Sequence, residues 1–226
     1  MQGTQLTDGA NPNAGLILAT NGSFYGTTLG GGANGYGTVF KITAAGTLAT
    51  LHSFDMTDGE SPYAGLVQAT NGNFYGTTGA GGSGEDNFGT VFEITPAGVL
   101  TTLHSFDIAD GELPYGGLVQ ATNGTLYGTT SQGGNNSDGT IFSLSVGLGP
   151  FVETLPPYGK VGMSVKILGT DLTGTTAVSF HGVAAKFSVK SATEIITTVP
   201  TGATTGPVKV ITPSGTLTSN VPFLIP

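Results

Sequence analysis

One sequence unit is written three times in the first part of this chain, and that repetition limits its possible folds more than any other feature. GLILATNGSFYGTT begins at Gly15, GLVQATNGNFYGTT at Gly65 and GLVQATNGTLYGTT at Gly117, at offsets of 50 and 52 residues. Each is followed by a glycine-rich loop and a second block: GTVFKIT from Gly37, GTVFEIT from Gly89 and GTIFSLS from Gly139. A third block, LATLHSFDMTDG from Leu48 and LTTLHSFDIADG from Leu100, leads into the next copy. The copies fill residues 7 to about 146. A period of this length marks units that bury their apolar faces on one another and cannot stand alone.

Within a copy the hydrophobic period is two. Val91 and Glu93 point one way while Phe92 and Ile94 point the other, and Val39 and Lys41 oppose Phe40 and Ile42 in the same manner. These are strands. Asn21-Gly22, Asn71-Gly72 and Asn123-Gly124 sit between apolar runs, where Asn-Gly predicts a type I′ hairpin turn. Ala45-Gly46 and Pro96-Ala97-Gly98 suit a second hairpin, from GTVF to LHSF. Each copy is therefore expected to be a four-stranded antiparallel meander with the dimensions of a propeller blade.

Three blades are too few for a ring, which normally takes about 4 to 8. An incomplete ring leaves an apolar blade face and unpaired strand edges in water. The third copy also ends after GTIFSLS without an LHSF strand, so eleven strong strands are visible where twelve are expected. Met1, Gln2, Gly3, Thr4, Gln5 and Leu6 align at offset 50 with LHSFDM at Leu51 to Met56. They form a candidate assembly strand, donated within the ring or to a neighbouring molecule; the alternative is a chain cut from a longer repeat array. Two chains completing a six-bladed ring and a head-to-tail filament are both compatible with such edges.

Beyond Val146-Gly147-Leu148-Gly149-Pro150 the repeat stops, and short Val/Ile/Thr-rich strands are broken every 8 to 12 residues by Gly or Pro, as in a small β-sandwich. This gives an all-β chain of two domains, residues 1–147 and 148–226. Charge divides at the same place: residues 1–147 hold 11 carboxylates against Lys41 alone, and residues 148–226 hold 3 against five lysines. With no arginine and an acidic first half, the chain lacks the basic stripe that nucleic-acid binding needs. No apolar run approaches membrane-spanning length, and MQGTQLTDGANPNAG lacks the basic start and apolar stretch of a leader. The absence of cysteine leaves packing and strand pairing to supply stability.

The blocks YGTT, the GG loop, GTVF and F-D-x-x-D-G resemble the GloVer-type tandem repeat of secreted and surface-anchored bacterial proteins, over residues 7–146. That resemblance implies a propeller-like fold and an extracellular or cell-surface location, but no particular activity. Thr4 in place of the strand Phe and Gln5 in place of the first loop Asp depart from the pattern. Residues 150–226 resemble an IPT/TIG domain through Pro156-Pro157-x-Gly159-x-x-Gly162, Ile167-x-Gly169-x-x-Leu172, Val178-x-Phe180-x-Gly182 and V-P-x-G-x-x-x-G-P-V at Val199 to Val208. The resemblance implies an immunoglobulin-like sandwich.

Residues that could carry chemistry are few. Asp55, Asp58, Asp107 and Asp110, in D-x-x-D-G loops followed by Glu60 or Glu112, are candidate metal ligands. Their hard oxygens would suit calcium, the one cofactor considered. The competing reading is that each Asp satisfies its own turn. His52 and His104 adjoin Ser53 and Ser105, but strand neighbours face opposite ways, so neither pair makes a nucleophile and base. Their recurrence points to hydrogen bonding in the scaffold, and His181 shows no partner in the sequence. Tyr25, Tyr75 and Tyr127 recur in FYGTT or LYGTT and are expected to pack between blades with bonded hydroxyls; stacking on a sugar is the functional alternative. Glu85-Asp86 with Glu60 or Glu112 offers an acid and base for glycoside cleavage only if a fixed separation holds them. Gly30-Gly31-Gly32 and Gly79-Ala80-Gly81-Gly82 lack the Lys-Ser/Thr ending of a phosphate loop.

These features predict a non-enzymatic extracellular or cell-surface structural protein whose partners are other copies of itself. A glycan-binding or glycan-cleaving module is the second expectation.

Overall fold

The computed structural model describes residues 7–83 and 87–226. All regular structure among them is β. The first repeat gives β1 (Ile17–Leu18), β2 (Phe24–Thr28), β3 (Thr38–Ile42) and β4 (Leu48–Ser53), paired antiparallel in chain order. The second repeats this as β5 (Val67–Gln68), β6 (Phe74–Thr78), β7 (Thr90–Ile94) and β8 (Leu100–Ser105). The third holds β9 (Val119–Gln120), β10 (Leu126–Thr129) and β11 (Ile141–Leu144). Among the described residues, the expectation of three four-stranded blades is thus corrected to two of four strands and one of three. Where Thr43 and Thr95 open hairpins to β4 and β8, the chain after Leu144 carries no LHSF block to pair.

The Asn-Gly turns also differ from expectation. Gly22 N–H bonds the Ala19 carbonyl at 2.9 Å and Ala19 N–H bonds the Ser23 carbonyl at 2.9 Å. Gly22 has a positive φ of 76° and Asn21 does not, so the connection is a three-residue loop ending on a left-handed glycine rather than a type I′ turn. Asn21 stays out of the left-handed region because its Oδ1 accepts from Ser23 N–H at 3.0 Å, closing the turn through the side chain.

The glycine of YGTT has a packing reason. Gly76 faces Phe92 across the β6–β7 pair, and a Cβ there would lie 2.6 Å from the ring. The ring fills the space over the bare backbone, as Phe40 does at Gly26 and Phe142 at Gly128.

Two compact units result. One takes the residues up to Gln120 with Leu126–Leu144; the other takes Ala121–Thr125 with Ser145–Pro226. In the second unit β12 (Glu153–Leu155), β13 (Ser164–Leu168), β17 (Glu194–Thr198) and β16 (Phe187–Ser191) form one sheet in that order. Its companion runs β15 (Val183–Ala184), β14 (Ala177–Phe180), β18 (Val208–Thr212), β19 (Gly215–Thr218). Val165, Ile167 and Ile195 from one sheet and Val178, Phe180, Val208 and Val210 from the other share a single core. Alternate residues of β18 are buried, as a sheet with one wet face requires.

Candidate functional site

The repeats of the first unit meet through a set of contacts made twice. Thr27 Oγ1 donates to the Ala64 carbonyl at 2.9 Å, and Thr77 Oγ1 to the Gly116 carbonyl at 3.1 Å. Ser61 N–H bonds the Tyr36 carbonyl, and Leu113 N–H the Phe88 carbonyl. The Gln68 side-chain oxygen accepts from Thr20 N–H, and that of Gln120 from Thr70 N–H. Phe54 meets Phe92 edge-on at 5.2 Å, and Phe106 meets Phe142 at 5.0 Å. Gly37 and Gly89 lie under Pro62 and Pro114 of the following repeat, and a Cβ at either glycine would come within 2.8 Å of the proline ring or closer.

Each seam carries an Asp–His loop. Asp55 Oδ1 accepts from Thr57 N–H, Thr57 Oγ1 and Asp58 N–H, at 2.8, 2.6 and 3.1 Å. Asp58 Oδ1 accepts from Asp55 N–H, while its Oδ2 lies 2.7 Å from His52 Nε2. Hydrogen bonds from Thr57 hold the Asp55 carboxyl below its ordinary range. Asp107, Asp110 and His104 repeat the arrangement, with 2.6 Å between His104 Nε2 and Asp110 Oδ2. The carboxylates proposed as calcium ligands therefore face backbone donors and an imidazole, and no group of three or more His, Asp or Glu among the described residues could hold a metal. The histidine rings pack edge-on against Phe54 and Phe106. His181 pairs its Nδ1 with Thr204 Oγ1 at 2.8 Å.

Two of the three tyrosines are enclosed with bonded hydroxyls, which leaves no face there for the sugar stacking held as the alternative. Tyr25 is fully buried, stacked on Phe74 of the next repeat with centroids 4.0 Å apart, and its hydroxyl accepts from Asn21. Tyr75 is 1% exposed and donates to Glu93 Oε1 at 2.7 Å. A ring enclosed on both faces cannot receive a sugar. Burial and the bond to Glu93 push the Tyr75 hydroxyl up to about 12. Burial opposes the charge of Glu93, yet bonds from Asn73, Tyr75 and Asn71 outweigh it and hold that carboxyl below its ordinary range. Tyr127 remains 38% exposed.

The same sequence blocks leave the end repeats open. Val39 and Val91 are fully buried, whereas Ile141, their counterpart in the third repeat, is 83% exposed. Val119 of the same repeat is exposed too, and in the first repeat Leu16, Leu18, Phe24 and Leu48 face solvent. Where β4 and β8 would have their third equivalent, a cleft of about 200 Å³ is lined by Val91, His104, Phe106, Asp110, Phe142, Ser143 and Leu144.

Sequence reading missed the Asp–His pairs, although a separation of six across one loop is the signal that finds them. It also missed Tyr63 and Tyr115, an exposed pair with centroids 4.5 Å apart. Burial, with a smaller contribution from Tyr63, raises the Tyr115 hydroxyl above its usual value. The proposed assembly strand Met1, Gln2, Gly3, Thr4, Gln5, Leu6 and the acidic pair Glu85-Asp86 lie outside the described residues.

Comparison with known proteins adds the following. The family model described as Gloeobacter/Verrucomicrobia repeat matches residues 2–199, a longer span than the 7–146 expected from the repeat blocks. No curated protein matches. A solved structure described as a "putative gluconolactonase" is similar at 14% identity and a TM-score of 0.38, over 90% of this chain and 72% of that one, a likeness too slight to carry an argument.

Proposed function

The chain belongs to the Gloeobacter/Verrucomicrobia repeat family, and from that premise we propose that it is a non-enzymatic structural module of the cell exterior that assembles with other copies of itself. The repeats are an incomplete propeller, and the first-repeat face of one copy stacks on the third-repeat face of another. Ile141 is the observation that carries this reading: its two internal counterparts are sealed by a following repeat, and it is 83% exposed. The partner surface that seals Val39 and Val91 is written in the first repeat too, with Phe24 in the place of Phe74 and Leu126. The second unit is an IPT/TIG-type immunoglobulin-like sandwich, supported by its two sheets around one core and by its Pro/Gly motifs. The exterior location rests on the sequence resemblance alone.

Light scattering after size exclusion tests the assembly. The native chain is expected above monomer mass, Ile141→Asp at monomer mass, and deletion of residues 1–6 at reduced mass. A native monomer overturns the reading. A glycan-binding role is favoured by one observation, the exposed Tyr63–Tyr115 pair. Binding on a glycan array that is lost in Tyr115→Ala would support it.

A further inference from the structure

The sequence Asn-Gly occurs four times in this chain, and the fold treats one of them differently. In the hairpin turns of the three repeats the glycine N–H is engaged: Gly22 donates to the Ala19 carbonyl at 2.9 Å, Gly72 to that of Ala69 at 2.9 Å and Gly124 to that of Ala121 at 2.8 Å. The asparagine amides are held as well. Asn21, Asn71 and Asn123 each accept through Oδ1 from the N–H two residues on, at 3.0, 3.1 and 2.9 Å. Asn21 and Asn71 also donate from Nδ2 to the hydroxyls of Tyr25 and Tyr75. Gly124 instead lies against the Leu148 carbonyl, with no room for a Cβ.

Asn34-Gly35 stands in the loop between β2 and β3, where residues 32–35 bend without closing a turn. Among the described residues nothing accepts from the Gly35 N–H and nothing donates to Asn34 Oδ1. The Asn34 amide is tied once, from Nδ2 to the Phe54 carbonyl at 3.1 Å. Both residues are exposed, and the space around Gly35, at a φ of 88°, is open.

This difference decides reactivity. The backbone nitrogen after an asparagine attacks the side-chain Cγ only once its proton has gone, and a carbonyl oxygen already bonded to that N–H would repel the resulting anion. Attack also requires the side-chain amide to swing over the glycine nitrogen, which in the hairpin turns breaks the bonds at Oδ1 and Nδ2. Glycine, without a Cβ, leaves the approach clear. Asn34 meets each requirement with a solvated N–H, an oxygen free to take up charge in water, and a single bond to release.

We propose that Asn34 is a self-modification site, at which the chain converts its own side-chain amide to a carboxylate with water as the co-reactant while the three hairpin asparagines persist. Solvent base removes the Gly35 amide proton, the nitrogen bonds to Asn34 Cγ, and the Cγ–Nδ2 bond breaks to release ammonia. Water then opens the five-membered ring at either carbonyl, giving aspartate or an isoaspartyl linkage. The product acts on the seam between the first two repeats. Phe54 is fully buried with its ring edge-on to Phe92, and the Tyr36 carbonyl beside the loop accepts from Ser61 N–H at 2.9 Å. A carboxylate at this position sets an acceptor against the Phe54 carbonyl where a donor stood, and the isoaspartyl form lengthens the main chain by a methylene. The reaction is a clock on an internal joint, independent of whether chains assemble.

The test incubates the full-length protein at mildly alkaline pH in water carrying heavy oxygen, folded or in guanidinium chloride, with digestion and mass spectrometry over time. Each asparagine is compared with its own rate in denaturant. In the folded chain Asn34 is expected to keep that rate, while Asn21, Asn71 and Asn123 fall at least about tenfold below theirs, since each must first give up two or more hydrogen bonds. Heavy oxygen enters the new carboxylate, and fragmentation finds isoaspartate beside aspartate at position 34. Slowing of Asn34 on folding as large as that of the hairpin residues, or equally rapid conversion at the hairpins, overturns the assignment. Aspartate without isoaspartate overturns the ring route. Asn34→Asp is expected to lower the thermal midpoint by about 2–4 °C, and an unchanged midpoint overturns the effect on the seam.

Discussion

The second and third repeats share GLVQATNG, YGTT and the LHSF strand that enters each from the repeat before, yet they end in different physical states. Val91, Phe92 and Ile94 are sealed, while Ile141, Phe142 and Leu144 are not. Nothing in the shared blocks accounts for this. It follows from what stands next among the described residues: a whole repeat and a fourth strand in one case, and neither in the other. Burial in a repeat array belongs to the neighbour as much as to the residue, so identical side chains contribute unequally according to position.

That contrast is broken most severely at the phenylalanines. Phe92→Ala is expected to cost about 3–5 kcal/mol, and Phe142→Ala roughly half as much because its ring keeps part of its exposure. Urea unfolding of the two variants measures the difference, and equal losses would show that the third repeat is as well packed as the second.

The threonine pairs come next. Thr78 Oγ1 and Thr90 Oγ1 lie 2.8 Å apart in full burial, and Thr78 Oγ1 also accepts from Thr90 N–H at 3.0 Å. Thr78→Val strands the Thr90 N–H, while Thr90 Oγ1 keeps the Asp58 carbonyl at 3.2 Å, and is expected to cost about 1–3 kcal/mol, with Thr130→Val costing less because Thr140 is half-buried. Thermal melts of the pair read the ratio.

The smallest effect separates the repeats by pH. Glu93 is held below its ordinary value, so its contribution to stability is present above the carboxylate's unfolded pKa and lost as pH falls through the folded one. Tyr75, raised to about 12, contributes below the unfolded tyrosine value, and that part disappears as pH climbs toward 12. Ser143 stands where Glu93 does, so the third repeat has no carboxylate at this place and lacks the acid dependence. Glu93→Gln is expected to flatten the acid limb of the stability curve while leaving the neutral plateau within about 1 kcal/mol.

Much of the fold was legible because period-two patterning written three times is hard to mistake. Phe40/Ile42 against Val39/Lys41 placed β3 and its faces, and the missing LHSF block announced that no strand would follow β11 within its own repeat. The turn type was not legible: Asn-Gly specifies a positive φ at glycine, but whether asparagine follows depends on its side chain, which here bonds Ser23 or Asn73 instead. The tyrosines were ambiguous for a similar reason. The same YGTT packs Tyr25 between repeats and leaves Tyr127 at an end, a distinction set by neighbouring surface rather than local sequence. The pairing of His52 with Asp58 escaped because it crosses a strand end into a loop, where alternation says nothing about direction.

Gln68 and Gln120 each cap the turn of the repeat before them, and the first repeat has Leu18 at that position. In the proposed stack, a joint between chains would therefore forgo a bond that both joints inside the chain possess. Arrays built this way would carry a fault line at each chain boundary, lengthening as protein accumulates and parting there, between intact chains, when it is diluted.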